Sequence, residues 1–261
     1  GSASCAERAA DGATLRPMTP EALSSVIEAL LAAEARAASL APITSWAPAF
    51  TVVDAYRALA ALEQRRRERG WRPVGRKIGF TNRTIWPRYG VFAPIWAPVW
   101  HSTLTLLEGS EATVSLAGLV QPRLEPEIVF GFVAPPRAGM PDAELLACIE
   151  WVAHGFEIVH THFAEWRFTA ADTVADFALH GRLIVGPRVP VARFGRLGDE
   201  LAELQLTLSR DDVDVDTGRG ANVLDGPLTA LRLWLEAMAQ HTPRWSVRAG
   251  DVVTTGTLTD A

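Results

Sequence analysis

Past Gly70 the chain changes its period, and this change does most to limit what it can fold into. Before it, apolar residues recur at helical spacing. Thr19-Pro20-Glu21 opens a run with Leu23, Val26, Ile27, Leu30 and Leu31 on one stripe, where Thr19 can cap and Pro20 suits the first turn. The spacing predicts a helix to about Ala38. Thr51 with Asp54 forms a capping box, and Val53, Tyr56, Leu59 and Leu62 carry a second helix to the arginine-rich run before Gly70. After Gly70 come short β-type segments punctuated by Pro and Gly, among them residues 103–107, 113–116 and 128–132.

Further helices are expected over 142–152 and 227–239, and strands near 157–161, 183–185, 204–208 and 252–255. A hairpin is expected over 211–220, with its turn at Thr217-Gly218-Arg219-Gly220. There is no internal repeat and no long linker. The expected class is therefore α+β: an N-terminal helical part, residues 1–72, docked on a mixed-β body, residues 73–261, in one compact unit. The last strand runs toward a loop close to Ala261, so a completing C-terminal tail is expected.

A net charge of -5, with 25 basic residues dispersed among 30 acidic ones, offers no block to neutralise phosphates, which argues against nucleic acid. Apolar runs fall short of the roughly 20 residues that span a bilayer. Gly1-Ser2 resembles a cloning remnant, and no apolar signal core follows it, so a cytoplasmic protein is expected. Cys5 and Cys148 are too few and too far apart for a disulfide framework or a cysteine metal site. Of the 25 basic residues all but Lys77 are arginine, which marks Lys77 as a place needing a compact or titratable charge.

In Arg123-Leu124-Glu125-Pro126-Glu127-Ile128-Val129-Phe130 the two glutamates are two apart. In an extended chain both leave the same face, with Cα atoms roughly 7 Å apart, while Leu124, Pro126, Ile128 and Phe130 turn toward the core. On spacing alone this is a solvated acidic face or a pair of hard oxygen ligands. Glu157, inside Phe156-Glu157-Ile158-Val159, is costly to bury without a cation. Three carboxylates suit Mg²⁺ or Mn²⁺ better than zinc. A rival site is His160-Thr161-His162 with Glu165 nearby. Asp212-Val213-Asp214-Val215-Asp216 fails as a calcium loop, since Thr217 replaces the required Gly and Val223 cannot ligate. No phosphate-binding glycine motif or nucleophile elbow is present.

Gly75-Arg76-Lys77-Ile78-Gly79-Phe80-Thr81, Glu125-Pro126-Glu127, Gly155-Phe156-Glu157-Ile158-Val159 and Asp172-Thr173-Val174-Ala175-Asp176, in this order, resemble the 2-keto-4-pentenoate hydratase and 2-oxo-3-hexenedioate decarboxylase family of the fumarylacetoacetate hydrolase superfamily. The resemblance continues through residues 220–228 to residues 250–256. It implies a mixed β-roll, a homo-oligomer, metal ligands Glu125, Glu127 and Glu157, and an active-site Lys77. The implied reaction is hydration of a 2-hydroxydienoate or related 2-oxo acid through a metal-stabilised enolate. Lys77 would fix the substrate carboxylate or move a proton, and Asp172 or Glu165 would act as general base. Decarboxylation, or C–C hydrolysis with His154 or His180 as base, uses the same scaffold; a silent, partner-stabilising member is the non-enzymatic alternative. Where the family carries polar pocket residues, this chain has Ile95 and Phe177; with Trp86, Trp96 and Trp100 nearby, a bulkier, more hydrophobic substrate is expected.

Overall fold

The computed structural model describes residues 17–89, 92–240 and 246–259, with the side chain of Arg88 excluded. Cys5 and the N-terminal Gly1-Ser2 lie outside these residues. Helix α1 (Pro20–Arg36) is capped by Thr19, which accepts from Ala22 N, has Pro20 in its first turn, and ends on Ala37 in the left-handed region at φ 47°. Its stripe Val26, Ile27, Leu30 is buried against α3 (Val52–Glu68), whose Thr51/Asp54 capping box forms as expected. The short α2 (Ile43–Trp46) lies between them.

The body begins with β1 (Pro73–Gly79), α4 (Trp86–Tyr89), β2 (Ile95–Trp100), β3 (Leu104–Leu106) and β4 (Arg123–Phe132). It continues with α5 (Asp142–Ala147), β5 (Ile149–Val159), α6 (Ala170–Ala175), β6 (His180–Val185) and β7 (Val189–Pro190). Last come α7 (Leu197–Glu203), β8 (Gln205–Arg210), β9 (Val213–Arg219), α8 (Pro227–Ala239) and β10 (Val252–Thr257). Strands run β2-β1-β10-β4-β5-β6-β3 in one mixed sheet, with β7 added beside β5 and β8-β9 as a separate hairpin. The sheet curls on itself: β2 and β6, with four strands between them in this order, touch.

The curl gives the sheet two different faces. The outer face carries the large core, where Ile78, Ile128, Phe130 and Val253 pack against α1, α3 and α8. Inside the curl a smaller cluster gathers Val99, Val129, Ala153, Leu183, Val185 and Val252 from five strands. Strand alternation puts Glu125 and Glu127 on the Val129 side, opposite Ile128 and Phe130. The acidic residues thus project to the inside of the roll.

Three expectations are corrected. The helix expected over 142–152 ends at Ala147, and the chain from Ile149 becomes β5, because a strand there completes a register with β4 from Arg123↔Val159 to Phe132↔Ile149. Residues 113–116 form no strand. The β8-β9 hairpin turns at Asp211 and Asp212, both in the left-handed region at φ 52° and 62°, so Thr217–Gly220 continues the ladder and the following turn.

Candidate metal centre and active site

Four neighbouring strands converge their polar side chains at one point. Glu125 and Glu157 lie directly opposite each other on β4 and β5, Glu127 follows two residues on, and Lys77 comes from β1 across β10. Like charges opposite one another destabilise a ladder unless something compensates them. Each glutamate offers an oxygen within 4.8 Å of the others, and they are the one group of three or more ligating side chains among the described residues. Glu127 and Glu157 are buried and Glu125 is half-buried.

Two of the three carboxylates are aimed by the backbone or by a neighbour. Glu127 Oε2 accepts from Gly256 N at 2.7 Å and from the Thr254 hydroxyl. Gly256 is needed here, since it sits at φ 103° and a Cβ would come 1.9 Å from Thr81 Oγ1. Glu157 Oε1 meets His180 Nδ1 at 2.7 Å, and Glu157 Oε2 is 3.1 Å from Lys77 Nζ. Lys77 Nζ also donates to Ala178 O at 2.9 Å. That carbonyl is presented by three consecutive left-handed residues, Phe177, Ala178 and Leu179, at φ 52°, 48° and 68°. A conformation costing of order 1 kcal/mol or more per non-glycine residue persists only where its surroundings enforce it.

The charges do not balance within the chain. Glu127 Oε1 is buried and has no hydrogen-bond donor. Burial, reinforced by Glu157 and Glu125, pushes Glu127 well above the ordinary carboxylate range. Burial, partly offset by Lys77, raises Glu125 to about 7. Glu157 goes the other way, to about 2, because Lys77 and the His180 hydrogen bond outweigh its burial. Burial opposes the Lys77 ammonium, yet Glu157, Glu125 and Glu127 together raise its pKa, so it stays charged at neutral pH. One ammonium among three carboxylates leaves room for a divalent cation, and an all-oxygen set in which Glu127 Oε1 and Glu157 Oε2 lack hydrogen-bond partners fits a hard ion.

A cavity of about 120 Å³ opens at this point, bordered by Lys77, Glu125, Gly256 and Thr257. Its walls are apolar and aromatic, with Phe80, Tyr89, Ile95, Trp166, Phe168 and Leu179, and Arg123 adds a cation stacked 4.0 Å over Trp166. These aromatics are not the ones the sequence suggested. Trp96 and Trp100 are buried in the core, and Trp86 is tied by its indole N–H to Phe80 O. Phe177 turns away, under the Arg66 guanidinium, while Ile95 and Leu179 do line the cavity.

The structure brings Lys77 to the glutamates but not the two base candidates. Asp172 has its carboxylate filled by Thr44 N and Oγ1 and by Thr169 N and Oγ1, at 2.8–3.0 Å. It caps α6 and fastens α2 to it. Glu165 is exposed and paired with Arg167 at 2.8 Å. His154 is exposed on β5 and is three residues from Glu157, on the opposite face. His160 Nδ1 is engaged by Val120 N, and His162 Nδ1 by Asp176, so the rival histidine pair forms no ligand group. His180, with its pKa lowered by burial against the pull of Glu157, holds Glu157 on one side and Thr103 on the other. Thr254, Gly256 and the Ala178 carbonyl carried no signal of their own in the sequence.

No family model matches the chain. It is 31% identical over 242 residues to the 2-keto-4-pentenoate hydratase of Paraburkholderia xenovorans strain LB400, covering 92% of this chain and 87% of that one. It is also 31% identical over 213 residues to the 4-oxalocrotonate decarboxylase of a Pseudomonas species, covering 82% and 79%. Among solved structures, the 4-oxalocrotonate decarboxylase of Pseudomonas putida G7 complexed with magnesium and adipate superimposes with a TM-score of 0.83 at 25% identity, over 94% of this chain and 90% of that one.

Proposed function

The chain belongs to the family of the 2-keto-4-pentenoate hydratases and 4-oxalocrotonate decarboxylases, and from that premise we propose that it is a hydro-lyase adding water to a 2-hydroxydienoate or 2-oxo-alkenoate, with Glu125, Glu127 and Glu157 holding one Mg²⁺ or Mn²⁺. The observation that carries the metal assignment is the convergence of three carboxylates, one with a buried oxygen that has no donor. When bound, the cation supplies Lewis-acid stabilisation of the negative charge that develops on a 2-oxo oxygen. Lys77 acts as a fixed cation: held by Glu157 and Ala178 O, it binds the substrate carboxylate. His180 is a positioning residue that orients Glu157. The aromatic walls exclude water and favour an apolar tail on the substrate.

Arg123 supports a second reading. A guanidinium in the wall of an otherwise apolar cavity suits the distal carboxylate of a dicarboxylic 2-oxo acid, the decarboxylase substrate type. Titration of Mg²⁺ and Mn²⁺ into metal-free protein, with and without oxalate, tests the centre: wild type binds one ion per chain, oxalate tightens it, and Glu127→Ala abolishes it. Equal binding by the mutant would overturn the assignment. Turnover of mono- against dicarboxylic 2-oxo acids then separates hydration from decarboxylation, and metal binding with no turnover of either overturns both enzymatic readings.

A further inference from the structure

A second cavity, of about 220 Å³, shares His180 with the site above but none of its glutamates, nor Lys77. It lies where α1 and α3 meet the end of α6, and the His160-Thr161-His162 motif opens onto it. What its wall offers is N–H groups without acceptors. His162 is 4% exposed, its Nδ1 is 2.7 Å from Asp176 Oδ1, and its Nε2 is buried with no partner. Arg66 gives Nη2 to Glu34 at 2.8 Å, while its Nε is buried with no partner. His160 Nδ1 accepts from Val120 N at 3.3 Å, which leaves the proton of the neutral ring on Nε2. Arg182 donates Nη1 to Gly181 O at 2.8 Å and Nη2 to Ala117 O at 3.5 Å, and adds a third cationic side chain to the lining.

The two acids in the wall, Glu34 and Asp176, are each already paired, with Arg66 and His162. Burial opposes the His162 imidazolium, but the Asp176 hydrogen bond and charge overcome it and raise its pKa, and in the protonated ring Nε2 is a donor. The Arg66 guanidinium is pinned in place, 3.6 Å above the Phe177 ring and 4.8 Å from that of Trp71. A pocket of fixed, unused donors repels a metal ion and matches an oxyanion.

We propose that this cavity binds a small oxyanion, inorganic phosphate or the carboxylate of a small acid, between Arg66, His162 and Arg182. Asp176 and Phe177 line it, and the carbonyl of the next residue, Ala178, holds Lys77, so an occupied cavity braces the turn that positions the active-site ammonium.

The test is calorimetric titration of inorganic phosphate, and separately of acetate, into metal-free full-length protein at constant ionic strength. Wild type is expected to bind one anion per chain. Arg66→Gln and Arg182→Gln are expected to weaken it about tenfold or more, since each removes a charge-assisted donor, whereas Glu127→Gln leaves it unchanged. Phosphate alone binding identifies an inorganic occupant, and acetate binding as well identifies a carboxylate seat; both outcomes support the site. Should Arg66→Gln fail to fold, the partly exposed Arg182 variant and the ¹⁵N resonance of His162 Nε2 in wild type, expected to shift on adding phosphate, still decide. The proposal is overturned if neither anion binds, if both arginine variants bind as wild type does, or if Glu127→Gln abolishes binding, which would place the anion at the glutamate centre.

Discussion

Replacing Glu127 by Gln should stabilise the metal-free protein while removing its response to metal. The substitution keeps an oxygen for the Thr254 hydroxyl and Gly256 N and exchanges the uncommitted Oε1 for an amide that can donate to its neighbours. Two carboxylates with oxygens within 4.8 Å of each other repel by about 3 kcal/mol or more at the effective dielectric suited to protein sites. Partial protonation of Glu127, whose pKa burial raises, already relieves part of this, so the net gain for the metal-free variant is about 1–3 kcal/mol. Saturating Mg²⁺ at a hundredfold excess over its dissociation constant stabilises wild type by about 2.7 kcal/mol. For a chain of this size that is about 5–10 °C in Tm.

Scanning calorimetry in chelator and then in Mg²⁺ reads both effects. Metal-free Glu127→Gln should melt at or above metal-free wild type, and Mg²⁺ should raise wild type by several degrees while leaving the variant within about 1 °C. An equal rise in both proteins, or a metal-free variant that melts several degrees lower, would refute the reasoning: the first removes Glu127 from the metal shell, and the second makes its charge a structural necessity.

Lys77→Met should lower kcat/KM about a hundredfold or more by removing the fixed cation, and should tighten Mg²⁺ binding, because an ammonium 3.1 Å from Glu157 competes with the ion; weaker Mg²⁺ binding in calorimetry would contradict this. Asp172→Ala should cost about 2–4 kcal/mol by orphaning Thr44 and Thr169, with kcat per folded molecule unchanged; a fall in kcat at constant Tm would restore it as a base. Glu165→Ala, which removes an exposed pair with Arg167, should change neither kcat nor Tm measurably. The His162–Asp176 pair gives a pH signature. His162 is raised in the folded state, so its contribution is complete below its ordinary 6.5 and is lost as pH rises through the folded value. Asp176 is lowered, so its contribution is present above 3.8 and is lost as pH falls through its folded value. Denaturant titrations of wild type and His162→Gln should therefore differ most between these two values and converge in alkali; a difference independent of pH would sink the idea.

Helices α1, α3 and α8 were legible because their caps, Pro positions and apolar stripes are local. The first part of β5 was not, since Leu145-Leu146-Ala147-Cys148-Ile149 reads as one apolar run and only pairing with β4, contiguous in space but not in sequence, breaks it at Cys148. The hairpin turn was misplaced because Gly218 and Gly220 outbid Asp211-Asp212 as turn formers, although Asp tolerates the left-handed region. Close approach explains both glycines instead: a Cβ on Gly218 would lie 2.4 Å from Leu258 O and one on Gly220 1.7 Å from Leu201 O.

The site divides along the same line. Glu125 and Glu127 could be paired from the sequence because a strand has period two, and Lys77 stood out because it is the sole lysine. The shape of the cavity followed no such rule. Trp96 and Trp100 are four apart on β2 and so share one face, the core side, whereas Ile95 takes the other and reaches the cavity. Phe177, the residue that invited a reading of a hydrophobic substrate pocket, belongs to the cavity beyond His180 and stacks under Arg66. The aromatic walls of the cavity come from Phe80, Tyr89, Trp166 and Phe168, brought together from the end of β1, α4 and the segment between β5 and α6. The proposal of an apolar-tailed substrate thus rests on Ile95 and on aromatic side chains other than those that first suggested it, and Arg123, stacked on one of them, is the residue on which the proposed choice between a mono- and a dicarboxylic acid turns.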